Sequence, residues 1–186
     1  MTREEALALM HEHTPSESLR KHMLSVESAM RFFAERGGYD AEKWGMAGLL
    51  HDFDYEQHPD EHPLWGIDLL REMGVDEEIL DAIAAHYPGK TGVEPDRPMA
   101  RTLFAVDELS GLITACVYVR PSKSVLDLES SSVMKKFKTA NFAAGVNRDD
   151  VRRGAELLDL ELKELIDLVI QALQRDADAL DLRGTL

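Results

Sequence analysis

At 186 residues the chain is long enough for one domain with a sizeable core, and a hydrophobic content of 44% excludes a disordered polypeptide. A formal net charge of −14 argues against a nucleic-acid backbone or an anionic membrane surface as the main partner, and an anionic substrate would need a local cationic centre. One cysteine, Cys116, excludes an intramolecular disulfide and a thiolate zinc site, and its apolar neighbours place it in the core.

The periodicity is helical almost throughout. Thr2 to Glu5 matches a capping box at the start of a first helix that ends near Thr14-Pro15. The same stretch, Met1-Thr2-Arg3-Glu4-Glu5, lacks the cationic-then-apolar pattern of a signal peptide. No apolar run approaches the length of a membrane span, and a cytoplasmic protein is expected. Ser16 or Ser18 caps a longer helix whose stripe of Leu19, Met23, Val26, Met30 and Phe33 marks one buried face. Gly37-Gly38 ends it. Asp40 opens a third helix running into Leu49-Leu50-His51. After a loop with Pro59 and Pro63 comes a helix holding Ile67, Leu69, Leu70 and Met73, stopped by Gly74. Asp76 caps the next, which carries Ile79, Ala82, Ile83 and His86 and stops at Pro88-Gly89.

Residues 89 to 98 are rich in Gly and Pro and read as a surface loop. A long apolar helix over residues 99–119 is ended by Pro121. The tail holds a basic patch of Lys135, Lys136 and Lys138, a helix from about Asp149, and an amphipathic helix from about Glu161 to Leu180. The expected fold is all-α, with a single domain over 1–186 whose core spans about 16–120 and whose helical extension spans about 121–186.

His22 and His86 share the inward stripes of their helices, so each is either a core histidine with a backbone partner or a ligand. Asp107 lies on an apolar helix, with Leu103 and Phe104 on its face. A buried carboxylate there needs a metal or an ion pair, with Arg101 and Arg120 as candidates. His51 and Asp52 are about 100° apart on a last helical turn and can converge on one ion if the helix ends at the site. His62 is either a ligand or a solvated helix start beside Pro63. His11, His13 and His58 have polar surroundings and read as surface residues. No G-x-S-x-G nucleophile elbow is present.

Taken in order, His22, His51-Asp52, His62, His86 and Asp107 resemble the signature of the HD superfamily of metal-dependent phosphohydrolases, whose core has about five helices. "LRKHMLSVESAM" resembles its first-histidine helix, "GLLHDFDYE" its leucine-rich run into His-Asp, and "AVDELSGLI" its last-aspartate helix. His62 in "HPLWGIDLL" and His86 in "AIAAHYPG" are similar to the two further histidines of dinuclear members. Only a single histidine stands at position 86, unlike the doubled histidine of the cyclic-dinucleotide branch. No lysine follows the His-Asp pair closely, where Phe53-Asp54-Tyr55 stands instead.

The resemblance implies a ligand set of His22, His51, Asp52, His62, His86 and Asp107. Asp52 would bridge two divalent ions of Fe, Mn, Zn or Co, with Asp52 and His51 as the catalytic pair. Two metals bridged in this way stand about 3.5–4 Å apart, lower the pKa of bound water and offset charge on a phosphoryl group. The implied activity is hydrolysis of a phosphoester of a small metabolite or nucleotide, with no nucleic acid as main partner and no membrane. Lys135, Lys136 and Arg148 are candidates for substrate phosphate, against a solvated basic face. Two other readings share the ligand list: a di-iron oxygenase of the HD type and a non-catalytic, metal-stabilised ligand-binding module. Asp54 and Glu56 are read as peripheral to the ligands.

Overall fold

Side-chain caps start half of the helices. In the computed structural model, which covers Met1–Leu186, the Thr2 hydroxyl accepts from Glu5 N at 3.2 Å and the Glu5 carboxylate accepts from Thr2 N at 2.7 Å. That reciprocal pair opens α1 (Arg3–His13). Ser16 caps α2 (Glu17–Gly37), and Gly38 at φ 74° closes it in the left-handed region that a glycine tolerates. Asp40 accepts from the amides of Glu42 and Lys43 to open α3 (Ala41–Leu50). A run of turns leads to α4 (Leu64–Glu72), and Asp76 caps α5 (Glu77–His86).

The expected loop after His86 begins with one helical turn, α6 (Pro88–Thr91), because proline is pre-set for a first helical position. α7 (Pro98–Tyr118) is the long apolar helix. α8 (Ser130–Phe137), which carries Lys135 and Lys136, is a helix that the composition did not announce. α9 (Arg148–Leu157) and α10 (Leu162–Arg175) complete an all-helical chain. The last helix ends at Arg175 rather than near Leu180, and turns follow it.

The chain divides into two compact units, Met1–Phe104 and Ala105–Leu186, and α7 runs through the boundary. In the first unit, α2 and α3 meet backbone to backbone at Gly48, where a Cβ would stand 2.9 Å from the Glu27 main chain. Glu27 itself is buried and takes two bonds from the Arg3 guanidinium, at 2.5 and 2.9 Å. That pairing compensates its burial and ties α1 to α2. Met23, Met30, Leu49, Leu50, Leu80 and Ile83 are all but inaccessible. They fix the helices on which the candidate ligands stand.

In the second unit, Gly154 lets α9 close on α7, since a Cβ there would lie 2.6 Å from Ala105 Cα. α10 buries Leu165, Ile166, Val169, Ile170 and Leu173 and packs on α8 and α9. The C-terminal stretch is held by Val125 N donating to Leu182 O at 2.8 Å and Thr185 N to Ser122 O at 3.0 Å. Cys116 is buried there, as expected. No helix is long and apolar enough to cross a membrane.

Candidate metal centre

α3 ends where the candidate site begins. Leu49 and Leu50 are completely buried and anchor its last turn, and His51, fully inaccessible, occupies the cap position. Asp52 follows at the start of the turn segment, His62 stands just before α4, His86 is the last residue of α5, and His22 lies in α2. Four elements of the first unit thus present one side chain each to the carboxylate of Asp52.

The two oxygens of that carboxylate face different pairs of histidines. Oδ1 lies 3.4 Å from Nε2 of His62 and 3.4 Å from Nε2 of His86. Oδ2 lies 3.4 Å from Nε2 of His51 and 3.8 Å from Nε2 of His22. Ligand atoms of Asp52, His62 and His86 lie within 4.8 Å of one another, close enough to share an ion.

The opposite ring nitrogens set the tautomers. Nδ1 of His51 bonds the Gly48 carbonyl at 2.8 Å, Nδ1 of His86 bonds the Ile83 carbonyl, and Nδ1 of His62 bonds Asp54 Oδ1 at 2.7 Å. Carbonyl oxygens can only accept, so in His51 and His86 Nδ1 carries the hydrogen and Nε2 of the neutral ring presents a lone pair. The Asp54 oxygen, as acceptor, gives His62 the same tautomer. Lone pairs then point at carboxylate oxygens, and each such pair needs a cation or a proton between its members. Protons are the poorer solution, because neighbouring imidazolium rings would face each other at centroid separations of 5.2–5.3 Å.

A metal ion fits the spacing. Two ligand atoms each about 2.1 Å from one ion, at a tetrahedral angle, stand about 3.4 Å apart. Imidazole and carboxylate donors suit transition metals, and an outer acceptor on each ring is the arrangement that raises ligand basicity. Burial works to raise the Asp52 pKa, yet the positive charge that His51 and His86 carry when protonated, together with their hydrogen bonds, outweighs it and holds the carboxyl well below the usual range. Asp52 is therefore ionised throughout the neutral range. At 18% exposure its carboxylate is also within reach of a small ligand.

Asp54 has a larger part than the peripheral one expected of it. Its buried carboxylate bonds His62 through Oδ1 and accepts from Gly66 N through Oδ2 at 2.8 Å. The glycine of "HPLWG" is needed for that approach, since a Cβ on Gly66 would meet Asp54 Cγ at 2.9 Å and Phe53 Cε1 at 2.8 Å. His62 is correspondingly 3% exposed, which overturns the solvated-helix-start alternative. Glu56 is peripheral as expected, exposed and accepting from Ser16 N at 3.0 Å.

Three histidines stay outside the cluster. His58 stacks on Trp65 at 3.7 Å, His13 bonds Gln57 at 3.0 Å and packs on Phe53 and Trp65, and His11 is exposed. Asp107 is half-buried on α7, three residues beyond the end of the first unit. Arg120, one of its expected ion-pair partners, is engaged with Asp127 at 2.8 Å. In the second unit Lys135 and Lys136 are exposed, with Lys136 over the Phe142 ring. Arg148 donates to the carbonyls of Phe142, Ala143 and Val146, so its guanidinium holds the turn before α9.

Residues 19–112 match the HD domain family, a stretch that takes in all six candidate ligands. Among curated proteins, ribonuclease Y of Oleidesulfovibrio alaskensis is 33% identical over 99 residues, which are 52% of this chain and 18% of that protein. Ribonuclease Y of Lawsonia intracellularis is 33% identical over 100 residues, 52% of this chain and 19% of its own. Ribonuclease Y 2 of Levilactobacillus brevis is 33% identical over 94 residues, 48% and 17%. The chain spans less than a fifth of the length of these relatives. No solved structure matches it significantly. With an all-helical fold, a His/Asp group able to hold a divalent metal and a family match over half its length, the chain belongs to the HD superfamily.

Proposed function

We propose that the protein is a metal-dependent phosphohydrolase that cleaves a phosphoester of a small metabolite or nucleotide. The ligands in this reading are His22, His51, Asp52, His62, His86 and Asp107, which would hold two divalent transition-metal ions, with Asp52 as the ligand common to both. The observation that carries it is the division of Asp52, one carboxylate oxygen toward His62 and His86 and the other toward His51 and His22. Asp107 enters as the acidic position near the end of the stretch that matches the family.

Two such ions supply Lewis-acid charge for a phosphoryl group and acidify water enough to give a nucleophile near neutral pH. The residues do the positioning. Asp52 stays ionised and accessible, while His51, His62 and His86 are fixed through Nδ1 so that none needs to reorient during turnover. No side chain has to act as a nucleophile. The local positive charge also offers an anionic substrate a landing point on a chain of net charge −14.

Since the relatives above are ribonucleases by name, the deciding panel includes RNA beside phosphomonoesters, nucleotides and small phosphodiesters. Metal-loaded protein is expected to release phosphate from small esters, and Asp52→Ala to release none. No turnover across the panel would overturn the hydrolase reading. Cleavage of RNA alone would overturn the small-substrate part and move the substrate class to polymeric phosphodiesters.

A further inference from the structure

Two aromatic side chains stand at the metal centre with half of their surface in water. Tyr55 is 50% exposed and Tyr87 48% exposed, and each lies next to candidate ligands in the chain: Tyr55 three residues after Asp52, Tyr87 immediately after His86. Both pack on the same imidazole. The Tyr55 ring meets His62 at 5.2 Å and 88°, edge to face; the Tyr87 ring meets it at 6.1 Å and 37° and also lies 6.4 Å from His86.

Neither tyrosine hangs on a loose segment. Tyr55 N donates to Asp52 O at 3.0 Å, inside the turn that presents the Asp52 carboxylate. The Tyr87 carbonyl accepts from Lys90 N and Thr91 N at 3.0 and 3.1 Å, which locks it at the junction of α5 and α6. An aromatic ring on a fixed main chain, packed on an imidazole and left half in water, offers an apolar face for a planar ligand. Planar rings stack on such faces whatever their hydrogen-bonding pattern.

We infer that Tyr55 and Tyr87 form an aromatic mouth beside His62 and are specificity-determining residues that select a phosphoester carrying a nucleobase over one carrying only a sugar. This rests on the phosphohydrolase reading and narrows its substrate class to nucleoside phosphates. Within that class the stacking is sequence-tolerant: purines, with the larger ring surface, bind more tightly than pyrimidines. Phenylalanine replaces either tyrosine, because the ring face rather than the hydroxyl makes the contact.

The experiment compares AMP with ribose 5-phosphate, which share the phosphoester and differ by the base. It uses the manganese-loaded full chain and reads kcat/KM together with calorimetric affinity for each compound. AMP is expected to be preferred by about tenfold or more, mostly through KM. That ratio is expected to fall toward one in Tyr55→Ala and Tyr87→Ala and to persist in Tyr55→Phe and Tyr87→Phe. A wild-type ratio near one would overturn the inference. So would alanine variants that weaken both compounds equally, since that is the mark of rings that merely support His62. If neither compound turns over, the calorimetric AMP to ribose 5-phosphate ratio alone decides the stacking, while the hydrolase reading stands or falls on the wider panel.

Discussion

Nδ1 of His62 lies 2.7 Å from Oδ1 of Asp54, and both side chains are buried almost completely. The acid two residues after Asp52 therefore orients a ring whose other nitrogen faces Asp52. Outer partners of this kind are worth about 10- to 100-fold in metal affinity. Asp54→Asn is expected to weaken manganese or zinc binding by about that factor while the chain stays folded. Calorimetric titration checks it, and unchanged affinity would remove Asp54 from the site.

Gly66→Ala tests the same relationship from the other side. The added methyl group would stand 2.8–2.9 Å from Phe53 and Asp54, so the Gly66 N–H to Asp54 bond cannot keep its length. A loss of about 1–3 kcal/mol in stability is expected, together with weaker metal binding. Thermal melts with and without added metal separate the two effects: the metal-dependent rise in Tm shrinks in the variant. A variant that melts lower but gains the full metal-dependent rise would show that Gly66 serves packing alone.

Much of this was legible in the residues. Thr2, Ser16, Asp40 and Asp76 announced helix starts because a short polar side chain before an apolar stripe has few other uses, and each caps the helix expected of it. The inward positions of His22 and His86 followed from helical spacing, and both rings reach Asp52. Asp54 was not legible, since its partner is a main-chain N–H twelve residues away, presented by the first turn of α4. The "HPLWG" spacing was the available signal, and it reads as a hydrogen-bond donor only once that turn is known. α8 was missed because three serines and a short length leave little apolar periodicity, even though Val133 and Phe137 are buried on one face. Arg148 was a candidate for substrate phosphate against the favoured solvated basic face, because sequence shows its charge but not the three carbonyls that occupy it.

Arg148→Ala is accordingly expected to destabilise the chain by about 1–3 kcal/mol, the cost of leaving main-chain carbonyls without their donor. Lys135→Ala and Lys136→Ala, at exposed positions, are expected to change stability by less than about 0.5 kcal/mol. Urea unfolding measures all three. Equal, small effects would mean that the Arg148 contacts carry no net stability.

Burial pushes the Cys116 thiol up to about 11. In the unfolded chain a thiol titrates near about 8.5, so between these values the folded state holds a proton that the unfolded state releases. Stability from this group is complete below about 8.5 and declines as pH rises toward about 11. Cys116→Ala lacks the decline. The stability gap between wild type and variant is therefore expected to shrink from pH 7.5 to pH 10, measured by urea unfolding at both. A gap that stays constant would contradict the buried, neutral thiol.

The most direct test is the metal content of protein purified without chelator and reconstituted with manganese or zinc, measured elementally beside Asp52→Ala. About two ions per chain are expected in the wild type, and a loss of tight binding when the carboxylate between the two histidine pairs is removed. Wild-type protein with no bound metal, or Asp52→Ala retaining the full complement, would contradict a centre built on Asp52.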